Sequence, residues 1–341
     1  MKDIYGITKS DLVNWLDTLG IKSFKATQIY EWLYDKRVKS FDEMTNLKKE
    51  FIEELKSNFY FGTLEIVKKQ ENESTLKYLF RLSDGNLIEA VVMKHDYGNS
   101  VCVSSQIGCN MSCAFCESGR LKKVRNLEAS EMVLQILTIE NDAHIRLSSV
   151  VVMGIGEPFD NYDNLIMFLS IINDAKGLAI GARHITVSTS GIVPKIREFA
   201  DFPLQINLAI SLHAPTNEIR NKIMPINKVY NIDTIMEAIS YYIAKTNRRV
   251  TIEYVMLKGV NDSEECAHKL VELLRGKNVY VNLIPYNETS HIEFKASSVK
   301  DKDKFFDYLR NSGITVTVRR EFGSNISAAC GQLRSQEGDE S

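Results

Sequence analysis

The sequence predicts an α/β protein whose core is a partial (β/α)6 barrel of the TIM type, preceded by a small helical domain and a β linker. Three observations predict it. Residues 1–60 carry apolar side chains at helical spacing, residues 63–93 alternate in polarity, and after residue 100 short apolar runs alternate with helical stripes. Repeated strand–helix units favour a parallel sheet covered by helices. Six units are fewer than the eight of a closed barrel, so we expect an open barrel.

The N-terminal helical domain is predicted to span residues 1–60. Thr8 and Asp11 form a capping-box pattern in front of an apolar stripe, which predicts a helix start. Ser40 is predicted to start a later helix of this domain. The apolar residues assigned to that later helix are Met44, Leu47, Phe51 and Leu55.

The β linker is predicted over residues 61–94, as a hairpin around the turn Ser83–Asn86. Glu89 lies in its second strand, between apolar neighbours. Taken alone, Glu89 fits an outward-facing strand residue.

The barrel core is predicted over residues 95–333, and residues 334–341 form a polar tail that we expect to be disordered. The predicted strands are 101–105, 149–153, 184–188, 206–212, 250–257 and 279–284, with a possible edge strand at 314–318. The predicted helices are 128–140, 162–174, 194–200, 232–245, 264–275 and 299–311.

Composition favours a metal or redox protein of a reducing compartment. The net charge is −2, so nucleic-acid binding would depend on local basic patches, and these patches equally fit solvated charged faces. They are Arg120–Arg125, Arg248–Arg249 and Arg319–Arg320.

We see no secretory signal and no apolar run of membrane-spanning length, and expect a cytoplasmic protein. Four of the six cysteines crowd into fifteen positions, which is not a disulfide framework.

The segment CNMSCAFC, residues 109–116, places Cys109, Cys113 and Cys116 directly after the first predicted barrel strand. Closely spaced thiolates suit zinc or an iron–sulfur cluster. Structural zinc needs a fourth ligand at similarly short spacing, and none follows. A [4Fe–4S] cluster held by three cysteines leaves one iron open for a substrate.

CxxxCxxC in this context resembles the signature of radical S-adenosylmethionine (SAM) enzymes. Further motifs are similar to those of the RlmN/Cfr family of RNA adenine methyltransferases, and the resemblance extends from the N-terminal helices to Leu333. The motifs are VCVSSQIGC (101–109), VMGIGEP (152–158), VSTSG (187–191), ISLHAP (210–215), MPIN (224–227), VNLIPYN (281–287) and AACGQL (328–333).

The resemblance implies a mechanism with two SAM molecules and a [4Fe–4S] cluster. One SAM methylates Cys330, and a second SAM, bound to the cluster, yields a radical that removes hydrogen from the S-methyl group. The resulting methylene radical adds to an adenine carbon. Glu89 is implied as the base that takes the ring proton. Cys102 then attacks the sulfur of Cys330, forms a disulfide and releases the RNA.

The resemblance also implies a SAM pocket at the strand ends. Gly156 lets the backbone approach the methionine moiety, Glu157 accepts a hydrogen bond from its ammonium group, and Asn287 bonds ribose or adenine. The remaining implied contacts are Ser188, Ser211, Leu212 and His213. Taken alone, His213 fits a satisfied strand-end residue, Cys330 fits a small buried apolar residue, and Cys266 is interpreted as structural.

The sequence departs from the family at Glu117, where a small residue usually follows the third cysteine. The departure removes no ligand, and we interpret it as a modulation of the cluster or of SAM packing.

The implied substrate is 23S rRNA, methylated at C2 of an adenine in the peptidyl transferase centre, with tRNA as a second candidate. An electron donor such as flavodoxin or ferredoxin and a monomeric state are also expected.

Three alternatives remain: Cfr-type methylation at C8, which gives antibiotic resistance; a zinc-stabilised RNA-binding module; and a glycyl-radical activating enzyme. A brown protein bleached by dithionite would exclude zinc, and an inactive Cys330→Ala variant would exclude the activating enzyme.

Overall fold

The computed structural model describes residues 1–289 and 291–319, which form ten α-helices and fourteen strands. The helices are α1 (Lys9–Thr18), α2 (Phe24–Tyr30), α3 (Lys49–Asn58), α4 (Ala129–Ala143), α5 (Tyr162–Asn173), α6 (Val193–Phe199), α7 (Asn217–Ile223), α8 (Ile232–Thr246), α9 (Glu264–Leu274) and α10 (Val299–Asn311). The strands are β1 (Lys2–Asp3), β2 (Phe59–Tyr60), β3 (Glu65–Glu71), β4 (Thr75–Arg81), β5 (Leu87–His95), β6 (Gly98–Cys102), β7 (Gln106–Ile107), β8 (Arg125–Asn126), β9 (Leu147–Val152), β10 (Ile185–Thr189), β11 (Asn207–Ser211), β12 (Val250–Met256), β13 (Val279–Pro285) and β14 (Val316–Val318). None of these helices is both long and apolar enough to cross a bilayer.

A ten-stranded sheet forms the centre of the molecule, in the order β14-β13-β12-β11-β10-β9-β6-β5-β4-β3. The seven strands from β14 to β6 run parallel, whereas β5, β4 and β3 are antiparallel to their neighbours. The sheet has two edge strands, β14 and β3, so it stays open. The predicted α/β fold with an open partial barrel is therefore confirmed.

The six predicted core strands and six predicted core helices are all present, and the possible edge strand appears as β14. The first strand begins earlier than predicted: β6 pairs with β9 only from Asn99 to Cys102, and Val103 continues the pairing with a single bond to Val151 at 3.0 Å. Cys102 therefore ends this ladder, next to the loop that carries the other cysteines.

The antiparallel part of the sheet is larger than the predicted hairpin. It contains three strands, β3 to β5, and β5 continues the barrel sheet by pairing with β6. From Thr75 to Phe80 every residue of β4 is buried, because one face lines the barrel and the other is covered by protein. On the covered face, the hydroxyl of Tyr78 donates to Asp142, near the end of α4, at 2.8 Å.

The helical domain begins as predicted, since Thr8 Oγ1 accepts from the amide of Asp11 and caps α1. The predicted helix start at Ser40 is wrong: residues 41–43 form a 3-10 turn, and α3 begins at Lys49. The Ser40 side chain makes no bond to the backbone and lies 3.3 Å from Glu43 Oε1, which also accepts from the amide of Lys39. These local bonds close the turn instead of opening a helix.

Candidate active site

A pocket opens at the carboxyl edge of the central sheet, where β9 to β13 end. Each of these strands contributes to the wall, and the loop that follows β7 closes one side. Because parallel strands end at one edge, side chains distant in sequence meet there. Nine of the predicted site residues line this pocket: Cys109, Cys113, Cys116, Gly156, Glu157, Ser188, Ser211, His213 and Asn287.

The three-cysteine loop between β7 and β8 is held in a tight backbone conformation. Ser112 lies in the left-handed region, with φ of 52°. The amide of Cys116 donates to the carbonyl of Cys113 at 3.1 Å, which closes a turn between two of the cysteines. A Cβ built on Gly119 would lie 2.8 Å from that same carbonyl, so only glycine fits against the turn.

The thiols of this loop need a compensating positive charge to ionise. Burial raises the pKa of Cys109 to about 12, and the charges of Glu157 and Cys116 add to that shift. Burial also raises the pKa of Cys113 well above its usual value, with Cys116 and Cys109 adding to it. A bound metal would reverse this preference, since a coordinating thiol is deprotonated.

The donor set of the loop suits an iron–sulfur cluster, because three thiols line one pocket and thiolates are the ligands of such clusters. Among the described residues, no group of three His, Cys, Asp or Glu side chains is placed to hold a single metal ion. The buried hydroxyl of Tyr286 in the same pocket has no hydrogen-bond partner among the described residues, which also indicates a polar ligand.

Glu157 is fixed between two strand ends. Its Oε1 accepts from the amide of Phe159 at 3.0 Å, and its Oε2 accepts from the amide of Ser190 at 2.7 Å. Burial raises its pKa, while these hydrogen bonds act in the opposite direction. Each oxygen keeps a lone pair, so the carboxylate can still accept from a ligand's ammonium group. Gly156 has φ of 107°, and a Cβ there would lie 2.5 Å from Gln106 Cβ.

His213 is a neutral side chain with a defined tautomer. Its Nδ1 accepts from the amide of Val255 at 3.0 Å, so the ring proton lies on Nε2. Burial, with the charge of Arg220 as a second cause, lowers its pKa to about 3. The hydroxyls of Ser188 and Ser211, at the ends of β10 and β11, lie 3.3 Å apart on the same wall.

The sequence analysis missed Arg220, which is fully buried beneath the pocket. Its guanidinium donates to the carbonyls of Ser190 (2.6 Å) and Leu212 (3.1 Å) and to Asn227 Oδ1 (3.0 Å), with longer bonds to two further carbonyls. Arg220 therefore joins the ends of β10 and β11. It lies in the short helix α7, which the sequence patterns did not predict, so no signal in the sequence marked it.

A second residue that the sequence analysis missed is Glu253, in the middle of β12. It lines the pocket, is buried, and accepts from Asn282 Nδ2 at 2.8 Å. Burial raises its pKa, and the charge of Arg319 partly offsets that effect. An acidic residue inside an apolar strand such as VTIEYVM could have been recognised as an unusual buried carboxylate.

The predicted base, Glu89, faces inward rather than outward. It is buried on β5, and its carboxylate contacts the ammonium of Lys77 on β4 at 2.8 Å. The apolar sequence neighbours of Glu89 gave no indication of this cation, which comes from the adjacent strand. Cys102 is buried in an apolar cluster that includes Val91 and Ile155.

Among the predicted site residues that the structure describes, Leu212 is the third, after Glu89 and Cys102, that does not line the pocket. The side chain of Leu212 is fully buried in the main core, so only its backbone could reach a ligand. Cys266 is buried in α9, in agreement with a structural role. Cys330 lies outside the described residues, as do Arg320 and the tail at 334–341.

Glu117 is buried directly beside the third cysteine. Its carboxylate lies 3.4 Å from Nδ1 of His291 and 3.9 Å from Nε of Arg120. Two nitrogen-bearing side chains thus surround the residue at which the sequence departs from its family.

The basic patch Arg120–Arg125 is largely engaged within the protein. Lys123 contacts Asp160 and Arg125 contacts Glu131, both at 2.7 Å. These contacts reduce the charge that the patch can offer to a nucleic acid.

Comparison with known protein families gives two matches. The Radical SAM superfamily model matches residues 103–274, and the model of the Ribosomal RNA large subunit methyltransferase N-terminal domain matches residues 2–60.

Individual relatives match over nearly the full length. The chain is 56% identical to a probable dual-specificity RNA methyltransferase RlmN from Listeria monocytogenes, over 98% of this chain and 94% of the relative. It is 52% identical to the protein of the same description from Acholeplasma laidlawii, over 98% and 99%. Among solved structures, a radical SAM methyltransferase from Sphaerobacter thermophilus superposes with a TM-score of 0.92 at 40% identity, over 98% of this chain and 100% of that one.

Proposed function

The chain belongs to the radical SAM superfamily and, within it, to the RlmN family of RNA methyltransferases, and we propose that it methylates C2 of an adenine in the peptidyl transferase centre of 23S rRNA. The observation that carries the proposal is the shared pocket. Three cysteines of one loop lie on the same pocket wall as Glu157 and His213, at the carboxyl edge of an open barrel.

The enzymes of this family use a [4Fe–4S] cluster and SAM, and the pocket offers groups for both. Cys109, Cys113 and Cys116 would hold the cluster and leave one iron open. When bound, the reduced cluster supplies the electron that cleaves SAM to a 5′-deoxyadenosyl radical.

The strand ends would orient the SAM molecule. The Glu157 carboxylate, held by two backbone amides, accepts from the ammonium group, and Gly156 lets the backbone approach the methionine chain. Ser188, Ser211 and Asn287 supply polar contacts for ribose and adenine, with the backbone of Leu212 nearby. The neutral His213 presents its Nε2–H as a donor.

Three further residues would carry the methyl group and the RNA. Cys330 accepts the methyl group in a displacement and later holds the RNA covalently through the methylene carbon. Glu89 takes the proton from the adenine ring. The unpaired electron left by the radical addition would pass back to the cluster. Cys102 then attacks the sulfur of Cys330: the bond from that sulfur to the methylene carbon breaks, a disulfide forms, and the carbon takes up a proton as the methylated RNA leaves. The buried position of Cys102 at the end of β6 supports a thiol that only a nearby sulfur can reach.

The RNA would be held by more than one domain. Residues 1–60 correspond to a domain whose family description names ribosomal RNA, and we assign them to RNA binding, residues 61–94 to a linking role and residues 95–333 to catalysis. Because the RlmN relatives are described as dual-specificity enzymes, tRNA is proposed as a second substrate. A flavodoxin- or ferredoxin-like donor would reduce the cluster of a monomeric, cytoplasmic enzyme.

Product analysis tests this proposal. The anaerobically reconstituted protein is incubated with SAM, a reductant and protein-free 23S rRNA, and the digested nucleosides are separated by mass spectrometry. We expect 2-methyladenosine. Exclusive formation of 8-methyladenosine would place the enzyme in the Cfr-type branch, and SAM cleavage without any methyladenosine would refute the RNA assignment.

Cysteine variants test the covalent route. Cys330→Ala should abolish methylation with the cluster intact, and Cys102→Ala should trap a protein–RNA adduct that migrates slowly on a denaturing gel. Cys266→Ala is the matched control, because that cysteine is buried in α9 away from the pocket. Normal product from Cys330→Ala would contradict the scheme.

A further inference from the structure

Lys77 and Glu89 form an ion pair inside the barrel wall. Nζ of Lys77 lies 2.8 Å from Oε1 of Glu89, and their side chains are only 9% and 5% exposed. Removing two opposite charges from water costs several kcal/mol per ion. A pair of this kind therefore contributes little to stability by itself, and its presence calls for a functional explanation.

The pair lies on the same sheet face as Cys102. Lys77 is opposite Val91, and Val91 is opposite Cys102, so these three residues form one cross-strand row. Directly paired residues share a face, and residues two apart on a strand share it as well. Glu89, two positions from Val91, belongs to the next row of that face.

The row of Glu89 is nearer the pocket. Strand β5 runs antiparallel to β6, so positions before Val91 lie towards the carboxyl end of β6, where the cysteine loop begins. The hydroxyl of Ser104 donates to the carbonyl of Glu89 at 2.6 Å and accepts from the amide of Ile155 at 3.0 Å. One buried serine thus ties the strand of Glu89 to the end of β9, directly before Gly156.

A buried carboxylate without a counter-charge tends to take up a proton, and a protonated carboxyl cannot act as a base. A cation at 2.8 Å keeps a carboxylate ionised and fixes its rotamer. We propose that Lys77 is a positioning residue, which pairs with the Glu89 carboxylate and fixes its orientation for removal of the adenine ring proton. This inference rests on the proposed function of Glu89.

In the step that Lys77 supports, the bond between the adenine ring carbon and its hydrogen breaks in the covalent RNA adduct. The proton moves to the carboxylate of Glu89, the bonding electron pair stays on the ring, and the unpaired electron of the adduct would pass back to the cluster. Lys77 exchanges no electron and forms no bond. Its effect is therefore confined to the time after the adduct has formed and before the RNA is released.

The experiment compares Lys77→Met, Lys77→Arg and Glu89→Gln with the wild type as reconstituted holoenzymes, using SAM, a reductant and an rRNA fragment. Lys77→Met should release 2-methyladenosine more slowly by on the order of a hundredfold, the scale of a lost general base. The covalent protein–RNA adduct should accumulate. Formation of 5′-deoxyadenosine and methylation of Cys330 should stay at wild-type levels, because neither step uses Glu89.

Two further variants separate a positioning role from general damage. Lys77→Arg keeps the positive charge and should restore most of the release rate, which a merely structural defect would not predict. Lys94→Met is the matched control, since Lys94 of β5 pairs with Glu71 at 2.9 Å on the exposed part of the same sheet. It should behave as the wild type.

Lys77→Met leaves the buried Glu89 carboxylate without its counter-charge, a change that can unfold a protein. The double variant Lys77→Met/Glu89→Gln carries no buried charge there and keeps the inference testable. If Lys77 acts through Glu89, the double variant should release product as slowly as Glu89→Gln alone. A release rate of the double variant below that of Glu89→Gln, or a wild-type release rate of Lys77→Met, would overturn this inference and leave the proposed function intact. Absence of both methyladenosine and adduct from the wild type would overturn the proposed function, and this inference with it.

Discussion

The neutral state of His213 predicts a measurable loss of stability in mild acid. Its pKa is lowered from 6.5 to about 3, mainly by burial, so the folded protein keeps the ring uncharged where the unfolded chain protonates it. Stability from this group is therefore complete above the unfolded pKa and falls as the pH drops below it. From about pH 7.5 to about pH 5 the loss is about 2 kcal/mol, since one pH unit below the unfolded pKa costs up to about 1.4 kcal/mol.

The variant His213→Asn isolates this contribution. His213 lies in the left-handed region with φ of 57°, a conformation that asparagine tolerates well. The asparagine oxygen can also accept the amide hydrogen of Val255 in place of Nδ1, but it does not titrate. We therefore expect a variant that folds normally and lacks the pH-dependent contribution of His213 to the free energy of unfolding.

The assay is urea denaturation of the cluster-free proteins under reducing conditions at the two pH values. Glu157 and Glu253 have raised pKa values, which act in the opposite direction as the pH falls. They are present in both proteins, so they cancel when the pH-dependent losses are subtracted. The wild type should lose about 2 kcal/mol more than His213→Asn. A difference below about 0.5 kcal/mol would show that the folded ring is protonated near its ordinary pKa, and would refute the argument.

Three other variants test the architecture of the pocket. Arg220→Met removes five donated hydrogen bonds and should destabilise the protein by about 3–5 kcal/mol in chemical denaturation; a loss below about 1 kcal/mol would contradict its role in joining β10 and β11. Gly156→Ala meets Gln106 at a positive φ and should weaken SAM binding by about tenfold or more in equilibrium dialysis, whereas Gly181→Ala, with φ of −59°, should not. Cys113→Ser should lose the broad visible absorption and the bound iron after reconstitution; retention of both would exclude Cys113 as a ligand.

Sequence patterns predicted the course of the chain well where local physics decides it. Periodicity located all six core strands and helices, because a buried strand and a helix packed on it impose repeats of different length on apolar residues. The helix start at Ser40 was wrong because the bonds of Glu43 to its neighbours close a turn there, and no periodicity reports such bonds.

The sequence by itself determined the chemistry of this protein: three cysteines at a fixed spacing, a glycine and a carboxylate after one strand, and motifs shared with the RlmN family. These are properties of single segments, and the proposed ligands Cys109, Cys113 and Cys116 all lie within one loop. Only the tertiary structure decided which charges lie together. The contact of Lys77 with Glu89, and that of Arg220 with the carbonyls of Ser190 and Leu212, join segments that the chain separates. Burial sets the state of such groups, and burial depends on the whole fold.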